Sequence, residues 1–283
     1  MNRCELPTRL PLADGAELHY TEHGRGPPVI LLHGGFGDCH SWMPQMQTFA
    51  ARFRVIAYSR RFSSPCRSPA AQASYTPQLD VDDLATLQGH LRCGPAHLVG
   101  TSYGALIALI FALQHPEQVL SLALNEPPLH PWACRTPEGR ALFEAFMEDV
   151  WRPAALAFDR NDERTALRLL VDGIWGEPLF DRLPPERMHV VTRNAGAMKA
   201  LTRSMEPFPD LPRLEVVTLQ MPVLLLNGDR ANDLHRRVID ELALVLPGAQ
   251  REVISGAGHG APSENPVGFN RVVFWTLLHS GRT

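Results

Sequence analysis

The chain has 283 residues, of which 45% are hydrophobic and 20% are charged, and its formal net charge is -3. This composition is ordinary for a globular protein, and a chain of this length can bury a large core without crosslinks. The weak negative charge excludes the broad basic field that attracts nucleic acid or anionic lipid. We therefore expect neither a nucleic-acid partner nor a membrane partner.

The cysteines are odd in number and contain no C-x-x-C pair. They predict neither a disulfide framework nor a zinc site, and they fit a reducing compartment. The N-terminus lacks the apolar stretch of a signal peptide. The longest nearly apolar run, 105–113, is far shorter than the about 20 residues of a membrane-spanning helix. We predict a cytoplasmic protein without a metal. The cysteines are Cys4, Cys39, Cys66, Cys93 and Cys134.

Two short strand-like segments flank the turn dipeptide Asp14-Gly15 near the start of the chain. Six largely apolar runs follow, of the kind that forms strands buried on both faces of a parallel sheet. Helical patterns lie between several of them. The runs are 28–33, 54–58, 96–100, 120–124, 222–227 and 250–254, and the helical patterns are 78–91, 105–114 and 233–246. This alternation predicts an α/β fold with a mostly parallel sheet flanked by helices.

The alternation breaks between about residues 128 and 219, where the sequence shows no buried strand. Helical stretches rich in Trp, Phe and Met occupy 137–150, 163–175 and 185–205 instead. We predict a helical cap, 128–219, over a core made of 1–127 and 220–283; a plain structural subdomain is the alternative. The cap aromatics indicate either an apolar pocket or the cap's own core. They are Trp132, Phe143, Phe146, Trp151 and Trp175.

The strongest chemical signal is a G-x-S-x-G motif at 100–104, between a predicted strand and a predicted helix. That context is typical of a nucleophile elbow, where a serine on a strained turn needs small neighbours such as Gly100 and Gly104. The helix behind the turn supplies free N–H groups and partial positive charge. The motif predicts Ser102 as a nucleophile.

A His-Gly-Gly sequence, 33–35, ends the first long apolar run. A serine that attacks a carbonyl needs N–H donors for the developing oxyanion. We predict that Tyr103, which follows the nucleophile, and Gly35 supply them, with Phe36 as the alternative to Gly35. We interpret His33 as a brace for this loop.

Near the C-terminus, His259 lies in a Gly-rich loop after the last predicted strand. A neutral imidazole takes the serine proton and then passes it to the leaving group. Flanking glycines allow such a loop to approach Ser102. We predict His259 as the general base.

These three motifs, in this order over the whole chain, resemble the α/β-hydrolase fold superfamily. Gly34 to Phe36 with Trp42, and the Ser-Glu-Asn-Pro sequence at 263–266, resemble its esterase and lactonase branches. The resemblance implies a capped eight-strand sheet and no cofactor. Relatives that use an alkyl-enzyme ester to open epoxides or remove halide carry aspartate where this chain has Ser102.

The acid of the expected triad departs from the common pattern of the superfamily. That pattern places aspartate at position 231, which is alanine here. A second known arrangement places the acid at the end of the preceding strand, where this chain has Glu126. We predict Glu126 as the partner of His259, with Asp229 and Asp233 as the alternatives.

Arg60 and Arg61 stand where relatives commonly carry a Gly-rich turn. We interpret this segment as a rigid surface loop; the alternative is that one arginine faces an acidic group of the substrate.

Together these features predict a serine hydrolase that cleaves a carboxylic ester, thioester or lactone through an acyl-enzyme on Ser102, with a small, mainly apolar substrate. One alternative is C–C bond hydrolysis or a cofactor-free perhydrolase reaction on the same triad. Another is a non-catalytic ligand-binding protein of this fold, against which an intact pair of Ser102 and His259 argues.

Overall fold

The computed structural model describes residues 6–66, 68 and 75–280. Within them, eight strands form one sheet in the order β1-β2-β4-β3-β5-β6-β7-β8. The pairs β1-β2 and β2-β4 are antiparallel, and the other pairs are parallel. The strands are β1 (Thr8–Pro11), β2 (Glu17–His23), β3 (Pro28–Leu32), β4 (Arg54–Ser59), β5 (Ala96–Thr101), β6 (Val119–Asn125), β7 (Val223–Gly228) and β8 (Gln250–Ile254).

Helices cover both faces of the sheet and form the insertion between β6 and β7. In chain order they are α1 (Met43–Phe49), α2 (Pro77–Leu91), α3 (Tyr103–Gln114), α4 (His130–Ala133), α5 (Pro137–Ala145), α6 (Arg152–Asp159), α7 (Glu163–Trp175), α8 (Pro185–Arg193), α9 (Ala195–Thr202), α10 (Arg213–Val216), α11 (Asp233–Val245), α12 (Ala261–Glu264) and α13 (Pro266–His279).

The central strands are buried on both faces, so their residues alternate between two apolar layers. In β3, Ile30 packs into the layer that contains α2, α3 and α11, whereas Leu31 packs into the layer of α1 and α13. Helix α3 is buried on nearly every side, which agrees with its almost continuous apolar sequence. The mostly parallel eight-strand sheet predicted from the sequence is confirmed.

The register of the parallel strands places the predicted chemical residues at one edge. Gly100 of β5 pairs with Leu32 of β3 on one side and with Leu124 of β6 on the other, and β6 pairs in turn with β7. The loops that follow these strands therefore leave the sheet side by side. Ligands of open α/β sheets bind outside the carboxyl ends of the strands, and this is that end.

We call the helices inserted between β6 and β7, α4 to α10, the cap. Within them, α5 continues into α6 through a π-helical turn, Phe146–Trp151. The segment 185–205, expected to be one helical stretch, is divided into α8 and α9 at Asn194. The Asn194 amide donates to the Val190 carbonyl at 2.9 Å and to the Asp38 carboxylate at 2.9 Å. Such side-chain bonds compete with the helical ladder, which explains the break.

The sequence predicted that the run 250–254 forms a buried strand, and the prediction of burial is wrong. Strand β8 has only β7 as a neighbour, and four of its five residues are exposed, with Ile254 alone buried. An edge strand gains no cover from a second strand, so its sequence carries polar residues such as Arg251 and Glu252.

No helix in the described part of the chain is both long enough and apolar enough to cross a membrane. Cys39, Cys66, Cys93 and Cys134 are free thiols, and Cys4 lies outside the described residues.

Candidate active site

Ser102 lies on the turn between β5 and α3 with φ 51° and ψ -125°, a conformation that L-residues rarely adopt. Its N–H donates to the Asn125 carbonyl of the neighbouring strand at 2.7 Å, which fixes the turn. A side chain at Gly104 would collide with the Leu32 carbonyl oxygen, so only glycine allows α3 to start so close to β3. The turn presents the Ser102 side chain to the cavity described below.

The predicted oxyanion donors border Ser102. A Cβ at Gly34 would stand 3.1 Å from the Ser102 Cβ, so the loop after β3 passes directly over Ser102. Gly35, Phe36 and Tyr103 all line the same cavity. Tyr103 is the first residue of α3, where backbone N–H groups have no partner inside the helix. The choice between Gly35 and Phe36 stays a prediction.

His259 and Glu126 are brought together across 133 residues. The Nδ1 of His259 lies 2.7 Å from the Glu126 Oε2, and the Gly228 N–H donates to the Glu126 Oε1 at 2.9 Å. Glu126 is completely buried and follows β6 with φ 47°, a strained backbone that turns its side chain toward β7. With both carboxylate oxygens engaged, Glu126 orients the His259 ring.

The two alternative acids point elsewhere. Asp229 accepts the N–H groups of Gly256 at 2.8 Å and Ala257 at 3.2 Å, and the bond from Gly256 is the main reason that its pKa is lowered. Asp233 is exposed in the first turn of α11 and pairs with Arg236. Neither carboxylate contacts His259.

A second imidazole, His235, stacks on His259 and was not found from the sequence. The two ring centroids are 4.3 Å apart with an interplanar angle of 22°, and the His235 Nδ1 lies 3.5 Å from the Glu126 Oε2. Burial lowers the pKa of His235 well below its usual value, so its ring stays neutral. The chain has 12 histidines, and no local pattern distinguishes this one.

Glu264 holds the loop on either side of His259. Its carboxylate accepts the N–H of Gly258 at 2.7 Å, the N–H of Gly260 at 3.1 Å and the indole N–H of Trp175 at 2.7 Å. Trp175 belongs to the cap, and its ring meets the His259 ring edge to face at 5.3 Å. The His259 loop and the cap are therefore bound by the same carboxylate.

His33 braces its loop, in agreement with its interpretation from the sequence. Its Nε2 accepts the Arg60 N–H at 2.9 Å, and its Nδ1 donates to the Gly34 carbonyl at 2.7 Å. Burial lowers the pKa of His33 to about 3, so the ring is neutral and its accepting nitrogen is available to Arg60.

Both expectations for the two arginines are wrong. Arg60 is completely buried and donates to Asp80 at 2.8 Å, and Arg61 is 3% exposed and binds Asp83 through two hydrogen bonds of 2.9 and 2.6 Å. These internal ion pairs place neither guanidinium on the surface, and neither lines the cavity. The partners lie some 20 residues away, so the local sequence did not reveal them.

A cavity of about 760 Å³ lies over Ser102, between the loops of the core and the helices of the cap. Three of the five cap aromatics named from the sequence line it: Phe146, Trp151 and Trp175. Phe143 and Trp132 are outside the lining, and the Trp132 indole donates to the Leu211 carbonyl at 2.9 Å. The cap aromatics therefore serve both the pocket and the interior of the cap.

Among the described residues, two groups hold three side chains of metal-binding type close together: Glu126 with His235 and His259, and Asp38 with Cys39 and His40. In the first group the imidazole rings lie in nearly parallel planes with centroids 4.3 Å apart, and because the nitrogen lone pairs lie in those planes they do not converge on one nearby point. In the second group, Asp38 is already bound by Arg193 and Asn194 of the cap. We assign a metal to neither.

The chain belongs to the alpha/beta hydrolase fold family, whose model matches residues 27–266. It is 33% identical to the "Uncharacterized hydrolase YraK" of Bacillus subtilis over 138 residues, 48% of this chain and 49% of that relative, so it spans about half of that protein. It is 28% identical to the "Carboxylesterase YbfK" of Bacillus subtilis, with 87% of this chain and 79% of the relative aligned.

Among solved structures, the enol-lactonase from Burkholderia xenovorans LB400 superposes with a TM-score of 0.77 at 22% identity, covering 94% of this chain and 98% of that one. This likeness shows a shared fold. The protein is thus a hydrolase of the α/β-hydrolase family.

Proposed function

We propose that this hydrolase cleaves a carboxylic ester, thioester or lactone through an acyl-enzyme on Ser102. The observation that carries the proposal is the 2.7 Å hydrogen bond between Glu126 and His259, in a loop that reaches the same cavity as the strained Ser102 turn. A nucleophile, a base and an acid that orients the base form the arrangement that activates a serine.

In the first half of the reaction, the Ser102 Oγ attacks the carbonyl carbon while the His259 Nε2 takes the hydroxyl proton. The carbonyl π electrons move onto oxygen, and the Gly35 and Tyr103 N–H groups stabilise that charge. The tetrahedral intermediate then collapses. The bond to the leaving oxygen or sulfur breaks, and the proton on His259 passes to the leaving group.

In the second half, water replaces the alcohol or thiol. His259 takes one proton from the water, whose oxygen attacks the acyl carbon, and returns that proton to the Ser102 Oγ as the acid leaves. Through both halves Glu126 accepts the His259 Nδ1–H, so the Nε2 lone pair stays free for Ser102 and the imidazolium is stabilised.

The apolar lining favours a small, mainly apolar substrate. The names of the carboxylesterase and enol-lactonase relatives fit an ester or lactone as the bond that is cleaved.

The test combines a fluorophosphonate probe with a panel of p-nitrophenyl esters and lactones. Ser102→Ala should abolish labelling and lower kcat by about 10⁶, the typical loss when a nucleophile of this kind is removed. Ser263→Ala, which alters another serine in the lining of the same cavity, is the matched control and should still be labelled. Retention by Ser102→Ala of more than about a tenth of the activity would overturn the proposal.

A further inference from the structure

The arginines and glutamates of the cavity lining are unequally paired. There are three of each: Arg182, Arg187, Arg230, Glu177, Glu186 and Glu264. Arg182 binds Glu177 at 2.8 Å, and Arg230 lies 3.5 Å from Glu264. In the described part of the chain, Arg187 has no carboxylate within the 4.0 Å of an ion pair.

Arg187 projects from α8 toward the catalytic loop. Its guanidinium donates to the Ser263 hydroxyl, and its Nη2 lies 3.4 Å from the point where a Cβ on Gly260 would stand. Gly260 follows His259 directly. The cation therefore sits beside the residue that carries the proton of the reaction.

The surroundings of Arg187 compensate its charge only in part. Its side chain is partly buried, and burial lowers its pKa against an opposing effect of Glu264. The Glu264 carboxylate is already used by three N–H donors, two from the catalytic loop and one from Trp175. Glu186 is exposed and screened by solvent. A partly buried cation in this position favours an anionic partner.

We propose that Arg187 binds a carboxylate on the leaving-group half of the substrate, which makes an anionic ester or lactone the preferred substrate class. This inference rests on the proposed function. His259 delivers its proton to the leaving group, so a cation beside His259 lies on that side of the bond that breaks. The planar guanidinium matches a carboxylate through two parallel hydrogen bonds. The neighbouring Glu186 and Glu264 disfavour a dianion such as phosphate.

The test measures release of acetate from two acetyl esters, 4-acetoxybenzoate and its methyl ester, of which only the first carries a negative charge on the leaving group. For the unmodified protein, kcat/KM should be higher for the anionic ester. Arg187→Gln should lower the ratio of the two kcat/KM values by about 10- to 100-fold, the range of a charge-assisted contact, chiefly through KM for the anion. Arg187→Lys should give an intermediate ratio, because it keeps the charge and loses the planar fork.

Two controls separate substrate binding from a structural role. Arg182→Gln removes another cap arginine of the same lining that already has a carboxylate partner, and it should keep the preference for the anionic ester. Ser263→Ala removes the protein partner of Arg187 and leaves the cation, so it should keep the preference as well.

The outcomes distinguish this inference from the proposed function. A ratio near one in the unmodified protein, or an equal loss of the ratio in Arg182→Gln, would overturn the role of Arg187 while Ser102 still reacts with the fluorophosphonate. Absence of labelling at Ser102 would overturn the proposed function and this inference together. Folding of each variant is checked by its thermal unfolding and by its reaction with the probe.

Discussion

The two walls of the cavity are held in different ways. The core wall carries Ser102, His259 and Glu126 on turns whose backbone and side chains are fixed by buried hydrogen bonds. The cap wall presents mostly apolar side chains, and polar contacts such as that between Asp38 and Asn194 tie it to the core. The three residues proposed to react thus lie on the wall that is fixed by buried hydrogen bonds, whereas the apolar side chains that line the other wall lie on the short helices of the cap.

Of the three tests of this comparison between the walls, the one on the core wall has the largest expected effect. Glu126→Gln should lower kcat by about 10⁴, because the amide keeps the shape of the side chain but no longer favours the Nδ1–H tautomer or the imidazolium of His259. Steady-state hydrolysis of a p-nitrophenyl ester measures the loss.

Asp229→Asn is the matched control, since this carboxylate is exposed and binds groups of the loop 255–257 rather than His259. It should stay within a few-fold of the unmodified protein. If Asp229→Asn lost its activity while Glu126→Gln stayed fully active, the acid of the triad would be Asp229, which follows the strand that usually carries it.

The next effect tests how the cap is attached. Asp38 is completely buried in the core loop after β3, and it accepts the Arg193 Nε at 2.7 Å and the Asn194 amide at 2.9 Å, both from the cap. Asp38→Ala leaves both donors without their partner and should reduce the free energy of unfolding by about 3 kcal/mol. Urea denaturation measures this change.

Hydrogen exchange locates the loss. Amides of α8 and α9 should exchange faster in Asp38→Ala while those of β5 and β6 stay protected. The exposed Asp233→Ala should change the free energy of unfolding by less than about 0.5 kcal/mol. Uniform loosening of core and cap would contradict the separation of the two walls.

The smallest effect concerns pH. His130 is buried in the cap, where burial lowers its pKa from 6.5 to about 3, and neither ring nitrogen has a hydrogen-bond partner among the described residues. Below pH 6.5, His130 therefore binds a proton in the unfolded chain but stays neutral in the folded chain until the pH approaches 3. This contribution to stability is present above pH 6.5 and is lost as the pH falls toward 3.

His130→Phe removes that proton linkage and keeps the ring packing against Phe208 and Phe146. Between pH 6 and pH 4, the free energy of unfolding should fall less steeply with pH in the variant than in the unmodified protein. The difference between the two slopes should be about 1.4 kcal/mol per pH unit. Urea titrations at several pH values measure the slope. Equal slopes for both proteins would show that His130 is protonated in the folded state.

The sequence predicted the sheet and the chemical loops because their signals are local. The G-x-S-x-G turn requires small residues within five positions, and buried strands require continuous apolar runs. Glu126 could be proposed because alanine occupies position 231, but its contact with His259 joins strands far apart in the chain.

What the sequence did not reveal depends on distant partners. Arg60 and Arg61 were expected in a surface loop because the sequence around them does not indicate their ion-pair partners, Asp80 and Asp83, which lie on α2. His235 resembles any other histidine in the first turn of a helix until the fold stacks it on His259. Burial of a charged or polar group is decided by packing, which no short pattern encodes.

The Glu264 carboxylate, which binds the loop of His259 and the indole of Trp175, has a thermodynamic consequence. The loop and the indole share one carboxylate, so a change that alters its bonds to the loop also alters its bond to the indole, and such coupling between two sites is reciprocal and equal in free energy. A substitution in α7 far from Ser102 should therefore change kcat as well as the substrate preference.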